Sequence, residues 1–145
     1  MQLRCLLVDD DKIVLRAAQR YLTHRGFGVD VATSSAAARE HAGRYDCIVL
    51  DIDLGEDSGI ELAREFIDQK TNCIVFFSAS TDVNVRVAAS EFGTFIGKEA
   101  GLFVLAQGIE AALEETRQEA IAVGDDGPRA SRADPRLGSG FRKRQ

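Results

Sequence analysis

With 145 residues, 45% hydrophobic and 28% charged, the chain has room for one domain of ordinary size, not comfortably for two, and reads as soluble and globular. Its formal charge of −5 is uneven: from Gly124 onward six basic residues (Arg129, Arg132, Arg136, Arg142, Lys143, Arg144) meet three acids, so the part before them carries about −8. Such a body argues against nonspecific nucleic-acid binding, and the opening MQLRCLLVDDDK is too short an apolar run for a secretory or membrane signal, so no nucleic-acid or membrane contact and a cytoplasmic location are expected.

The first apolar run, Cys5 to Val8, predicts a buried strand that runs out into Asp9, Asp10 and Asp11. Val14, Ala17, Ala18, Tyr21 and Leu22 then mark one face of a helix, with Asp11 as its cap and Gly26 as a left-handed stop. Val29, Asp30 and Val31 alternate like a strand with one wetter face, and the alanine-rich Ser35 to Ala42 follows as a helix. Cys47 to Leu50 predict a third strand, ending at Asp51 with Asp53 close behind. Leu62, Ala63, Phe66 and Ile67 give the next helical face. Cys73 to Phe77 form a fourth strand that ends at Ser78. Val85, Ala88, Ala89 and Phe92 mark a shorter helix, stopped by Gly93 as a second left-handed cap and itself capped by Ser80, Thr81 or Asp82. Phe95 and Ile96 make a last short strand, followed by Lys98. Leu102, Leu105, Ala106, Ile109 and Leu113 form the final helical face. From Gly124 the composition turns to glycine, proline, serine and charge, so residues 1–123 are expected to be the folded domain and 124–145 a disordered tail. Cys5, Cys47 and Cys73 lie in apolar runs without metal-type spacing and read as buried reduced thiols.

Strands alternating with helices imply parallel pairing through right-handed crossovers, hence an α/β fold with helices on both faces of one sheet. Continuous apolar runs suit central strands and the alternating second run an edge. Five strands and five helices in this length fit a flavodoxin-like, doubly wound parallel sheet of order 2-1-3-4-5, in which strands one and three lie side by side.

Ligands of such sheets bind beyond the carboxyl ends of the strands, near the point where the order reverses. Four strand ends here carry Asp9 and Asp10, Asp51, Ser78 and Lys98. Carboxylates sharing a pocket repel one another unless a cation compensates. Magnesium suits the set, with Asp10 and Asp51 as direct ligands and Asp9 acting through water or from behind. Asp51 is the candidate nucleophile for a phosphoryl group, Lys98 a positive charge for a phosphoryl oxygen, and Ser78 a hydrogen-bond donor to another. His24 and His41 are not needed. Each residue also has a plain structural reading, as cap, loop or solvated lysine. The coincidence of four at one rim favours chemistry.

At these residues the sequence resembles the receiver domain of two-component response regulators. LLVDDDKIVLRAAQRYL is similar to the family's opening, with Asp9 and Asp10 as its acidic pair, and IVLDIDLGEDSGIEL to its phosphoacceptor strand and loop, with Asp51 as the phosphorylated aspartate. FFSAS and FIGK match the strands bearing the hydroxyl residue and the lysine. The likeness runs from about Leu3 to Glu119. It implies that Asp53 gives its backbone carbonyl to the metal, that the side chains of Asp53 and Ser80 flank the path of water to the phosphoryl group, and that Ser78 and Phe95 form the family's switch pair. Phe95 has no phenolic hydroxyl, so that switch must work through ring packing. Glu99 stands where many members have proline, and LGEDSG lacks the common proline-glycine turn.

The resemblance further implies a magnesium-dependent regulator, not a multiple-turnover enzyme, and because nothing after Val123 reads as an output domain, a stand-alone regulator or an intermediate in a phosphorelay is expected. It would be phosphorylated by a histidine kinase or phosphotransfer protein, and would act on a downstream protein or form a homodimer through helix four, strand five and helix five. Two rivals share parts of the pattern. DIDLG contains the D-x-D of haloacid-dehalogenase phosphatases, although there the D-x-D strand opens the domain and here Asp9 and Asp10 come first. A receiver-like binding module working without phosphorylation would leave the pocket idle.

Overall fold

The computed structural model describes residues 2–41, 44–69 and 73–123. Five strands, β1 (Arg4–Val8), β2 (Gly28–Ala32), β3 (Cys47–Leu50), β4 (Ile74–Ser78) and β5 (Thr94–Gly97), form one sheet in the order β2-β1-β3-β4-β5. Every pairing within it is parallel. The helices are α1 (Lys12–His24), α2 (Ser35–Glu40), α3 (Gly59–Asp68), α4 (Val83–Ser90) and α5 (Leu102–Val123). This is the expected doubly wound α/β architecture.

The unbroken apolar runs are explained by two cores, one on each face of the sheet. Along β1, Cys5 and Leu7 join Leu15, Leu22, Leu105 and Ile109 of α1 and α5, whereas Leu6 and Val8 join Leu62, Phe66 and Ala89 of α3 and α4. Successive side chains of a strand point to opposite faces, so a strand covered on both sides has no position for a polar residue. Burying so much apolar surface, at roughly 25 cal/mol per Å2, is the main stabilising term.

Side-chain caps fix where the helices begin. Asp11 Oδ1 accepts from the amides of Ile13 and Val14 at 3.1 and 3.3 Å, Ser34 caps α2, Ser58 caps α3, and Asp82 caps α4. Gly26 has φ +100°, the left-handed stop expected of it. Gly93 does not adopt a positive φ. Glycine is there for a different reason: a Cβ would run into the Ile74 carbonyl, so α4 could not lie down against β4. Helix α4 stops at Ser90, which leaves Phe92 beyond its end but still packed against the second core.

Cys5, Cys47 and Cys73 are buried free thiols, with Cys5 and Cys47 in register on neighbouring strands. Hydrogen bonds with Cys5 and Cys73, together with burial, hold the Cys47 thiol well above its ordinary pKa. Between β3 and α3, Asp53–Leu54 and Asp57–Ser58 pair as a two-residue antiparallel hairpin, and Gly55 at φ +72° supplies the turn that LGEDSG makes without proline.

Two units can be distinguished, Met1–Glu114 and Glu115–Gln145. Of the second, the residues up to Val123 are described and are helical; the expected tail from Gly124 lies outside the described residues. No helix among the described residues is long and apolar enough to cross a membrane.

Candidate functional site

The chain leaves β1 for the edge strand β2 and then returns across β1 to β3, so the strand order reverses between β1 and β3. Two backbone bonds extend the sheet past its formal ends there. The Asp9 amide donates to the Ala32 carbonyl at 3.1 Å and the Asp51 amide to the Val8 carbonyl at 2.9 Å. Both aspartates are thereby held at the rim and both are buried, at 5% and 6% exposure.

Lys98 reaches them from the end of β5. Its Nζ lies 2.9 Å from Asp9 Oδ2 and 3.2 Å from Asp51 Oδ2. Asp9 Oδ1 accepts from the Asp11 amide at 2.9 Å, so both oxygens of Asp9 are engaged. Asp10 is exposed and makes no hydrogen bond or ion pair among the described residues. One carboxylate oxygen from each of Asp9, Asp10 and Asp51 falls within 4.8 Å of the others. Residues from three distant stretches of sequence therefore meet in one place.

Burial pushes the Asp9 carboxyl above its ordinary pKa; bonds from Lys98 and the Asp11 amide pull it back, while the Asp51 charge adds to the rise. Desolvation works against the Lys98 ammonium, yet Asp9 and Asp51 outweigh it and leave its pKa raised. A carboxyl whose native pKa exceeds its unfolded one lends stability below the unfolded value and loses it as pH climbs through the native one. Asp9→Asn should therefore raise the melting temperature of the metal-free protein at pH 7 by about 3 °C and flatten its loss of stability between acid and neutral pH. Thermal melts across that range check this; an unchanged pH profile would count against the burial argument.

The other expected residues lie around this group. Ser78 ends β4 beside Gly97 in register and is 2% exposed; its Oγ accepts from the Ser80 amide at 3.4 Å, and it makes no bond to Lys98 or Asp51 among the described residues. Asp53 opens the hairpin with its side chain exposed and outside the carboxylate group. Ser80 Oγ accepts from the Asp82 amide at 3.3 Å. Phe95 is half-buried, in register with Phe76, and packs into the second core. His24 is exposed and His41 pairs with the Tyr45 hydroxyl at 3.1 Å, both away from the site.

Three features escaped sequence reasoning. Arg86 of α4 stacks over Phe95, with its guanidinium 4.8 Å from the ring centre, and donates from Nε to the Ser80 carbonyl at 3.1 Å. Ser35 bonds to Asp57 of the hairpin. Gly59 is the third, and it left a trace in the sequence, because glycine is a poor residue to open a helix unless backbone must come close. A Cβ at Gly59 would overlap the Asp51 carbonyl. Gly59→Ala should destabilise the fold by about 3 kcal/mol, since the strain falls on backbone that cannot yield. Urea denaturation measures it, and a change below about 1 kcal/mol would show that the α3 start moves away freely.

The pattern of the response regulator receiver domain matches residues 5–110, most of the chain. The chain belongs to this family. Among curated relatives, the receiver is 28% identical over 120 residues to the response regulator ArlR of Staphylococcus haemolyticus (strain JCSC1435) and to that of Staphylococcus aureus (strain Mu50 / ATCC 700699), covering 80% of this chain and 55% of each relative. The chain thus spans about half the length of those relatives. The fold is similar to that of a CheY-like receiver domain protein from Methanospirillum hungatei JF-1, with a TM-score of 0.75 at 22% identity over 82% of this chain and 99% of that one. The receiver domain of Francisella response regulator 1452 gives 0.71 at 21% identity over 79% and 99%.

Proposed function

We propose that this receiver takes a phosphoryl group on Asp51 from a histidine kinase or phosphotransfer protein, with magnesium in the carboxylate pocket, and signals through protein contacts. One observation carries the reading. The buried Asp51 carboxylate has one oxygen on the Lys98 ammonium, its other oxygen makes no hydrogen bond or ion pair among the described residues, and the carboxylate belongs to the same cluster as Asp9 and Asp10.

The donor set fits a small hard cation. Carboxylate oxygens within 4.8 Å of one another can close on a shared ion that binds oxygen at about 2.1 Å. Asp10 and Asp51 would hold it directly. Asp9, already committed to Lys98 and the Asp11 amide, would act through water, and the Asp53 backbone carbonyl would add a further ligand. When bound, magnesium offsets the carboxylate charges and that of the phosphoryl oxygens.

The chemistry asked of the side chains is small. An Asp51 oxygen forms the new bond to phosphorus as the bond to the donor's leaving atom breaks, and the product is an acyl phosphate. Lys98 balances charge on one phosphoryl oxygen and Ser78 donates to another. Asp53 and Ser80 border the approach of water and so affect how long the adduct survives. The signal passes through Ser78 and Phe95, and the partner surface comprises α4, β5 and α5, where α4 leaves Val83 and Val87 70% and 58% exposed. A downstream protein or a second copy would dock there. The chain is not expected to turn over a substrate many times.

The test is incubation with magnesium and an acyl phosphate, read by intact mass. One labile phosphoryl group per chain is expected, and none in the presence of chelator. Many phosphoesters hydrolysed per chain would point to a D-x-D phosphatase instead, and no adduct under any condition to a module that works without phosphorylation.

A further inference from the structure

Two contacts tie α2 to the segment that follows Asp51. The Ser35 hydroxyl, buried at 1% exposure, donates to Asp57 Oδ2 in the hairpin. One turn further along α2, Arg39 makes a forked pair with Glu65 of α3 at 2.7 and 2.9 Å. The second contact is exposed on both sides and holds little by itself. The first differs, because a buried hydroxyl has no water to turn to if its acceptor leaves.

The hairpin needs such a hold. Its base is fixed: the Gly59 amide donates to the Ile52 carbonyl at 2.7 Å, and Ser58 caps α3. Its turn is another matter. Strands of two residues are too short to keep a hairpin in place, and LGEDSG has no proline to stiffen it. That turn borders the pocket, for a Cβ at Gly55 would lie 4.0 Å from Asp10 Oδ2. A hairpin free to swing at this point would move Asp53 and the space beside Asp10 together.

We propose that Ser35 and Asp57 are positioning residues. Their hydrogen bond seats the hairpin turn against Asp10 and so sets the affinity of the pocket for a divalent cation and the lifetime of the acyl phosphate. The inference rests on the function proposed above. It assigns work to a residue of α2 that makes no hydrogen bond to Asp9, Asp10, Asp51 or Lys98 among the described residues, and it gives the proline-free loop its substitute for rigidity.

The experiment is a titration of the metal-free full chain with Mn2+, followed by the electron paramagnetic resonance signal of the free ion, together with the decay of the phosphoryl adduct by intact mass. Ser35→Ala and Asp57→Ala should each weaken Mn2+ binding about tenfold and alter the adduct's lifetime. Asp57→Asn keeps an acceptor for the hydroxyl and should restore near wild-type affinity. Ser34→Ala is the matched control, because it removes the α2 cap to the Ala37 amide without touching the hairpin. It should lower the melting temperature and leave Mn2+ affinity alone. Asp57 is exposed, so Asp57→Ala carries the test if Ser35→Ala does not fold. Affinity within about twofold of wild type in Asp57→Ala, or an equal loss in Ser34→Ala, overturns the positioning role. A wild-type chain that binds neither ion nor phosphoryl group overturns the function itself, which is a separate result.

Discussion

Asp51→Asn should fold, melt at or above the wild-type temperature, and form no phosphoryl adduct at all. The side-chain amide has nearly the shape of the carboxylate, and the Asp51 main-chain amide keeps its bond to the Val8 carbonyl, so the end of β3 stays where it is. What changes is charge and nucleophilicity. A neutral amide cannot make the acyl phosphate, so the loss is total and not a reduction. Stability moves the other way, because a buried negative charge beside Asp9 disappears while Lys98 keeps Asp9 as its partner at 2.9 Å. Divalent-ion affinity should drop at least about tenfold with the loss of a direct ligand. Intact mass, thermal melts and a Mn2+ titration read the three effects separately. An adduct of undiminished yield in this variant would move the phosphoacceptor to another residue and end the proposal for Asp51.

Lys98→Met is expected to have the second largest effect, slowing adduct formation by about a hundredfold. That is the scale seen when one preorganised donor is taken from developing charge in a closed site. The same substitution leaves Asp9 and Asp51 buried together without their ammonium. Breaking a buried ion pair from one side costs about 3 kcal/mol, and less here because Lys98 is partly exposed and water can enter. The metal-free variant should therefore lose stability as pH rises and the buried Asp9 carboxyl ionises without its partner, and recover at lower pH. Magnesium should raise its melting temperature more than that of the wild type, since the ion supplies the charge that the lysine gave. A variant phosphorylated as fast as wild type would show that Lys98 serves the resting protein and not the transfer.

How much of this was legible beforehand follows from what each feature depends on. The strands could be read because Leu6, Leu7, Val8 and Ile48, Val49, Leu50 must be apolar on both faces, a constraint written locally at each position. Asp9, Asp10, Asp51 and Lys98 could be read because a strand's end is as local as its interior, and topology does the rest. Gly93 was misjudged as a left-handed cap because two reasons for glycine, backbone angle and close approach, look the same in sequence. Ser35 with Asp57 and Arg86 with Phe95 could not be read at all. Each is a meeting of one surface helix with one loop or strand, fixed by how far helices slide over the sheet, and periodicity carries no information on that.

The row of sulfur atoms at the other end of the sheet gives this protein a built-in clock. With no tryptophan and only two tyrosines, its optical signals are weak. Cys5, Cys47 and Cys73 are sealed in the core, and the Cys47 thiol, held from ionising as well, is the most resistant to alkylation. Reagent can then reach them only when the sheet opens, so the labelling rate counts openings. Whatever grips the acidic rim should slow that rate in proportion to its grip.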